Sequence, residues 1–183
     1  MIRRSIEKPD FKEKLRLRSY GPATENSPVF LELKRKANGI VYKRRVKCNS
    51  TQAREFIAGH DAFGSDGQIS RELIAFRNAY RTLEPSCLII YDRTAYFEPD
   101  GDLRITIDES PRFRTEELTL TRSMNGRLLL DPGSTILEVK LQQAMPMWLS
   151  GILSEGRIYK NSFSKYGEAY KRQMSEALQL LAA

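Results

Sequence analysis

Histidine and cysteine are close to missing from this chain: its 183 residues include one histidine and two cysteines. The histidine, His60, stands in a Gly59-His60-Asp61 stretch that reads as a surface loop. One imidazole and two thiols exclude zinc sites built from several His or Cys ligands. A Ser-His-Asp triad would have to use His60, and no nucleophile-elbow motif accompanies it. Cys48 and Cys87 are far apart and form no metal or redox motif, so a reducing cytosol is the default surrounding and a cytoplasmic location is expected. Long apolar runs are lacking too. None approaches the roughly 20 residues of a bilayer span, and Met1–Asp10 has no apolar core of a secretory signal. Internal repeats and low-complexity segments are also missing. What is present is a globular mixture, 40% hydrophobic and 29% charged, in a length that fits one domain over residues 1–183.

Charge is placed unevenly. Residues 1–47 hold 14 Lys and Arg against 5 Asp and Glu, a net +9, whereas residues 48–183 hold 16 against 18, a net −2. The excess of the first quarter suits a polyanion of some kind, nucleic acid included. The secondary structure around it is mostly extended. Phe11–Ser19, Val29–Lys36 and Ile40–Lys47 read as strands, the last two joined by an Asn38-Gly39 hairpin signal. A short helix is expected over Thr51–Ala58, capped by Ser50 or Thr51 and ended by Gly59. Ile69, Leu73, Phe76, Tyr80 and Leu83 are spaced as one apolar helical stripe, stopped by Pro85, with Phe76 and Tyr80 in the core. Cys87–Tyr96 and Leu103–Asp108 are strands around Pro99-Asp100-Gly101, followed by shorter ones at Arg127–Leu130 and Thr135–Leu141. Pro146 opens a helix with Trp148, Leu149, Ile152 and Leu153, read as core packing. The last helix, Gly167–Leu181, has Tyr170, Met174, Ala177 and Leu181 on one face, and Lys171 and Arg172 snorkel from it. Glu116-Glu117 and Asp100–Asp102 read as solvated turns. Sequential strands with few helices between them predict an α+β fold with an antiparallel sheet, closed or nearly closed into a barrel.

Alternate residues of a strand share a face, and one parity carries the charge. Lys12, Lys14, Arg16 and Arg18 oppose Leu15 and Leu17; Glu32, Lys34 and Lys36 oppose Leu31 and Leu33; Lys43 pairs with Arg45, and Tyr91 with Arg93. Arg104, Thr106 and Asp108 oppose Leu103, Ile105 and Ile107, and Glu138 and Lys140 oppose Leu137, Val139 and Leu141. A wet sheet face also alternates apolar and polar residues, but it mixes its polar types. Four like charges in one strand repel unless an anion compensates. With the apolar faces under the helices, the cations would line an interior, which must then hold water or a polyanion because unpaired buried charges cost several kcal/mol each. Arg offers bidentate contact to phosphate oxygens and Lys a point charge. Glu32 and Glu138 are the two carboxylates on that face in strands that also carry Lys, and a carboxylate among phosphates and cations is a natural ligand for Mg²⁺ or Mn²⁺.

Seven segments in order carry a resemblance: Lys14-Leu15-Arg16-Leu17-Arg18-Ser19-Tyr20-Gly21, Phe30-Leu31-Glu32-Leu33-Lys34, Lys43-Arg44-Arg45, Tyr91-Asp92-Arg93, Leu103-Arg104-Ile105-Thr106-Ile107-Asp108, Leu137-Glu138-Val139-Lys140 and Ser162-Phe163-Ser164-Lys165-Tyr166-Gly167. With them the chain resembles the polyphosphate polymerase (VTC) domain of the triphosphate tunnel metalloenzyme, or CYTH-like, superfamily. The resemblance implies a tunnel of antiparallel strands with a basic interior, in which the terminal phosphate of ATP passes to a growing polyphosphate chain. It assigns catalytic positions to Arg16, Arg18, Lys34, Arg93, Arg104 and Lys140. It gives phosphate binding to Lys14, Lys43, Arg45, Ser164 and Lys165, and the metal, Mn²⁺ or Mg²⁺, to Glu138. Members of the family begin with an acid-x-Lys strand and a helix. This chain is expected to lack both and to be N-terminally truncated relative to them, with open strand edges through which copies could associate.

The expected partners are therefore ATP, polyphosphate or another polyphosphorylated anion, and the expected enzyme, where the full domain is present, is a phosphotransferase. Such transfer needs positioning and charge neutralisation more than covalent chemistry, and an ionised acceptor phosphate needs no protein base. Two alternatives stand beside it. One is a tripolyphosphatase of the same fold, with water as acceptor. The other is a non-catalytic module for polyphosphate or RNA. Nucleobase recognition is disfavoured, because Leu rather than Phe or Tyr alternates with the cations of Lys12–Arg18, and Tyr91 is the aromatic that shares a face with a cation.

Overall fold

The computed structural model describes residues 10–60, 63, 67–80 and 82–182, with side chains at the C-terminal end described to residue 179. It is an α+β protein whose elements run β1 (Lys12–Arg18), β2 (Val29–Ala37), β3 (Ile40–Cys48), α1 (Ser50–Ala58), α2 (Gln68–Asn78), β4 (Leu88–Phe97), β5 (Arg104–Arg114), β6 (Arg127–Leu128), β7 (Ile136–Lys140), α3 (Met147–Glu155) and α4 (Lys165–Ala182). These divide into two compact units, Met1–Leu88 with Thr115–Met124, and Ile89–Arg114 with Asn125–Ala183. Among the described residues the seven strands form two sheets, one of three strands and one of four. Among the described residues no helix is long and apolar enough to cross a membrane.

The first unit is built on an antiparallel meander, β1–β2–β3. Asn38 and Gly39 both take positive φ, 48° and 80°, the two-residue turn whose twist matches that of the flanking strands. The apolar parity packs as expected. Val29, Leu31 and Leu33 are at most 1% exposed, and Leu15, Leu17 and Val46 lie against the same cluster. Helices α1 and α2 cover this face with Ala53, Phe56, Leu73 and Phe76, again at most 1% exposed. Polar groups on the covered side are paired: Glu13 accepts from Arg35 Nε at 2.9 Å and from the Tyr80 hydroxyl at 2.8 Å, and Arg44 Nε donates to Glu72 at 2.9 Å.

Two expectations for these helices are corrected. The cap of α1 is Asn49, not Ser50 or Thr51. Its side chain accepts from Gln52 N at 2.8 Å while Gln52 Oε1 accepts from Asn49 N at 3.0 Å, a reciprocal capping box. Helix α2 ends at Asn78, well before Pro85. Tyr80 and Leu83 still reach the core, but from the segment after the helix. Gly59 ends α1 in the left-handed region at φ 103°, as expected.

In the second unit β5 is the central strand. It pairs with β4 on one side and with β6 and β7 on the other. It runs to Arg114, six residues past the expected end, because its second half finds a partner in β6 through Arg112↔Leu128 and Phe113↔Arg127. Gly126 stands where a Cβ would lie 2.8 Å from the Phe113 carbonyl oxygen, so only glycine lets β6 begin this close. Phe113, Leu129, Leu149 and Ala169 are buried.

Several side chains depart from expectation. Trp148 and Ile152 are both 56% exposed and only Leu149 of that helix is buried, since nine residues can turn a single narrow face inward. Helix α4 presses Gly167 and Ala169 inward, while Met174 and Ala177 are exposed; the Leu181 side chain lies outside the described residues. Arg172 does not merely snorkel: it donates to the carbonyls of Leu128 and Leu129 at 3.1 Å each and so fastens β6 to α4. Asp102, read as a solvated turn, accepts from the backbone N–H groups of Gln142 and Gln143 at 2.6 and 3.2 Å.

Candidate functional site

The face of the first sheet opposite the helices collects the charge, and the strand register sets it out in rows. Lys12 lies opposite Lys36, which lies opposite Val41. The next row is Lys14, Lys34 and Lys43, then Arg16, Glu32 and Arg45, then Arg18, Phe30 and Lys47. All six sequence-predicted residues of this unit, Lys14, Arg16, Arg18, Lys34, Lys43 and Arg45, are thereby brought together. The row of three lysines contains no carboxylate. Burial first, and the neighbouring charges of Lys12 and Lys34 after it, hold the Lys14 ammonium below the usual lysine value.

One row further on, Glu32 gathers three guanidiniums. Arg16 donates to Glu32 Oε2 from Nε at 2.9 Å and also from Nη2. Arg45 Nε stands 3.5 Å from the other carboxylate oxygen, and Arg18 Nε 3.8 Å from Oε2. Arg45 also lies 3.8 Å over the Phe30 ring and donates to the Tyr20 hydroxyl at 3.0 Å. Hydrogen bonds from Arg18 and Arg45 hold the Tyr20 phenol below its usual value, against a small opposing effect of burial. Tyr91 is therefore not alone among aromatics beside cations. Phe30 shares the parity of Glu32, a signal present in the strand, whereas Tyr20 stands beyond the end of β1, where alternation says nothing.

The second unit makes its own charged face. Its centre is Asp108, 1% exposed, gripped by Arg93 through both carboxylate oxygens, with Nη2 to Oδ2 at 2.7 Å, and by Lys165 Nζ. Burial alone would raise the Asp108 carboxyl, but the hydrogen bonds and charges of Arg93 and Lys165 outweigh it and hold it below the ordinary range. The same carboxylate raises Arg93. Arg93 and Lys165 also sit over the Tyr91 ring, 5.0 and 4.7 Å from its centre. On β7, Glu138 faces Thr106, and Lys140 faces Arg104, in the register of the β5–β7 pair. Lys140 Nζ is 2.9 Å from Glu138 Oε1, and Arg93 Nη2 is 3.8 Å from Oε2. Burial works against ionisation of Glu138 too, and is outweighed by Lys140, then Arg93 and Lys165.

Arg93, Arg104, Glu138, Lys140 and Lys165 thus share one sheet surface, with Arg104 exposed. Ser164 does other work in the structure. Its hydroxyl accepts from Gly167 N at 3.2 Å and caps α4, which leaves its own proton for donation. Asp108 is the residue that sequence reasoning left without a role. Its parity with Arg104 was legible; its contact with Lys165, 57 positions away, was not.

A metal was expected on Glu138. Among the described residues no group of three or more His, Cys, Asp or Glu gathers to hold an ion. Glu138 is an ionised, half-exposed carboxylate beside cations that suit phosphate. This donor set fits a Mg²⁺ or Mn²⁺ that takes one carboxylate from the protein and its other oxygens from substrate phosphates and water. Asp108 is the poorer candidate, because it is 1% exposed and held closely by both Arg93 and Lys165. His60, exposed in its loop as expected and paired with Glu55, takes no part.

No curated protein and no solved structure matches this chain. A family model, that of the VTC domain, matches residues 1–174, and so runs through both units and through every charged position described above. The chain belongs to the VTC domain family.

Proposed function

We propose that this protein binds triphosphate and polyphosphate on the basic faces of its sheets, in the tunnel-like barrel that the family resemblance implies, and transfers the terminal phosphate of ATP to a polyphosphate chain. Membership of the VTC family supports a polyphosphate-related role. The observation that carries the reading is the face of the first sheet opposite its helices, where, among the described residues of the strands, nine Lys and Arg stand in register around one carboxylate, Glu32. A face of that composition repels itself without an anion.

In this mechanism Lys14, Lys34 and Lys43 neutralise non-bridging oxygens as point charges, and Arg16, Arg18 and Arg45 take them in forked hydrogen bonds. Arg93, already oriented by Asp108, and Arg104, Lys140 and Lys165 bind the phosphates on the second sheet. Ser164 donates its hydroxyl proton there. Glu138 would hold a divalent ion, which supplies charge stabilisation around the transferred group. The acceptor oxygen, ionised beforehand, bonds to the terminal phosphorus of ATP as the bond to the bridging oxygen breaks and ADP leaves, so the side chains align the two phosphates and neutralise the charge that develops, and no protein group needs to remove a proton.

The test is incubation of the purified chain with ATP and Mn²⁺, with polyphosphate measured as product. Polyphosphate should form, and Glu138→Ala should abolish metal-dependent turnover while tripolyphosphate still binds. Turnover that survives Glu138→Ala removes the metal role. Release of free phosphate with no polymer would mean that water is the acceptor.

A further inference from the structure

The cationic face of the first sheet is not uniform along its strands. Lysines occupy one end, in the rows of Lys12 with Lys36 and of Lys14, Lys34 and Lys43. Arginine and aromatic rings occupy the other. Phe30 takes the central place in the row of Arg18 and Lys47, and Tyr20 follows two positions after Arg18. The Tyr20 ring meets Phe30 edge-on, with centroids 5.6 Å apart and an interplanar angle of 75°. The guanidinium carbons of Arg18 and Arg45 lie 5.8 and 5.6 Å from the centre of the Tyr20 ring. Tyr20 is nevertheless 68% exposed.

Two hydrogen-bonded arginines hold this ring in place while most of it faces solvent, an arrangement that a packing role does not require. Aromatic rings and guanidinium planes are the two kinds of surface on which nucleobases stack. Phosphate has no use for a ring. A ligand that used the whole face would need a flat unsaturated group at one end and a chain of anionic oxygens at the other.

We propose that Tyr20 is a nucleobase subsite, so that this face takes a nucleoside triphosphate with its base on the Tyr20 ring and its phosphates running from the adjoining Arg18 and Arg45 toward the lysine row. The assignment rests on the reading above, in which ATP is the donor, and adds the residue that holds its base. Stacking engages the π-face that every base has, so the subsite selects nucleotides over bare polyphosphate without selecting the base.

The experiment is calorimetric titration of wild type, Tyr20→Ala and Tyr20→Phe with ATP, GTP and tripolyphosphate. In Tyr20→Ala the affinity for both nucleotides should fall by about tenfold relative to that for tripolyphosphate, the scale of losing one stacked base. Tyr20→Phe, which keeps the ring and loses the hydroxyl, should hold the wild-type ratio. An unchanged ratio in Tyr20→Ala, or an equal loss for all three ligands, overturns the subsite while the phosphate reading stands. Wild-type protein that binds none of the three overturns both.

Discussion

Asp108 shows how much one side chain settles in the second unit. A carboxylate that is 1% exposed would be costly alone, and Arg93 and Lys165 make it tolerable while it orients them. Its carboxyl is held below the ordinary aspartate value in the fold. The stability it contributes is therefore fully present above the unfolded-chain value of about 3.9, and is lost as pH falls through the lower folded value. Asp108→Asn should cost about 3 kcal/mol at pH 7 by leaving two cations without their counter-charge, and its stability should depend less on pH below 4. Urea unfolding at pH 7 and pH 3, read by Trp148 of the same unit, measures both effects. Equal stability of the two proteins at pH 7 would show that the buried pair contributes nothing. Asp108 was legible as a member of the charged face, since it shares the parity of Arg104 and Thr106. Its importance was not legible, because Lys165 reaches it from a helix that no local pattern connects with β5.

At the scale of the element, the β1–β2–β3 meander trades stability for charge. Its Lys14, Lys34 and Lys43 row sets like charges opposite one another, and each such pair is destabilising by a fraction of a kcal/mol. Burial first, and the charges of Lys12 and Lys34 after it, hold the Lys14 ammonium below its ordinary value. A folded chain that holds a proton less firmly than the unfolded one is penalised at all pH values below the folded value, and the penalty fades as pH rises toward the ordinary lysine value of about 10.4. Lys14→Met should then stabilise the protein by about 0.5 kcal/mol at pH 7 and weaken tripolyphosphate binding by roughly fivefold. Thermal unfolding and titration calorimetry on the same samples give the two numbers. A variant that is both less stable and equally able to bind would refute the trade. The strands themselves were readable from alternation and from Asn38-Gly39. The end of α2 was not, since a helical stripe continues into Tyr80 and Leu83 after the helix has ended and both still reach the core.

For the whole molecule, the net charge of +7 understates what a polyanion meets, because acids dilute it elsewhere in the chain. Binding on the cationic faces should be salt-sensitive: between 50 and 300 mM NaCl the affinity for tripolyphosphate should drop by at least about tenfold, as counterions screen the lysine rows. Affinity that stays flat over that range would place the anion elsewhere. The amino-acid sequence by itself determined the α+β class, the strands, the family and which parity of each strand is charged, because alternation is a local consequence of strand geometry. Only the tertiary structure decided which cations are neutralised and by whom. Glu13 and Glu72 occupy Arg35 and Arg44 on the helix side, Glu32 gathers Arg16, Arg18 and Arg45 on the opposite face, and Tyr20 comes to stand against Phe30. Those pairings join residues far apart along the chain, and a charge interacts through space with whatever the fold brings within a few ångströms, which spacing along the chain does not encode.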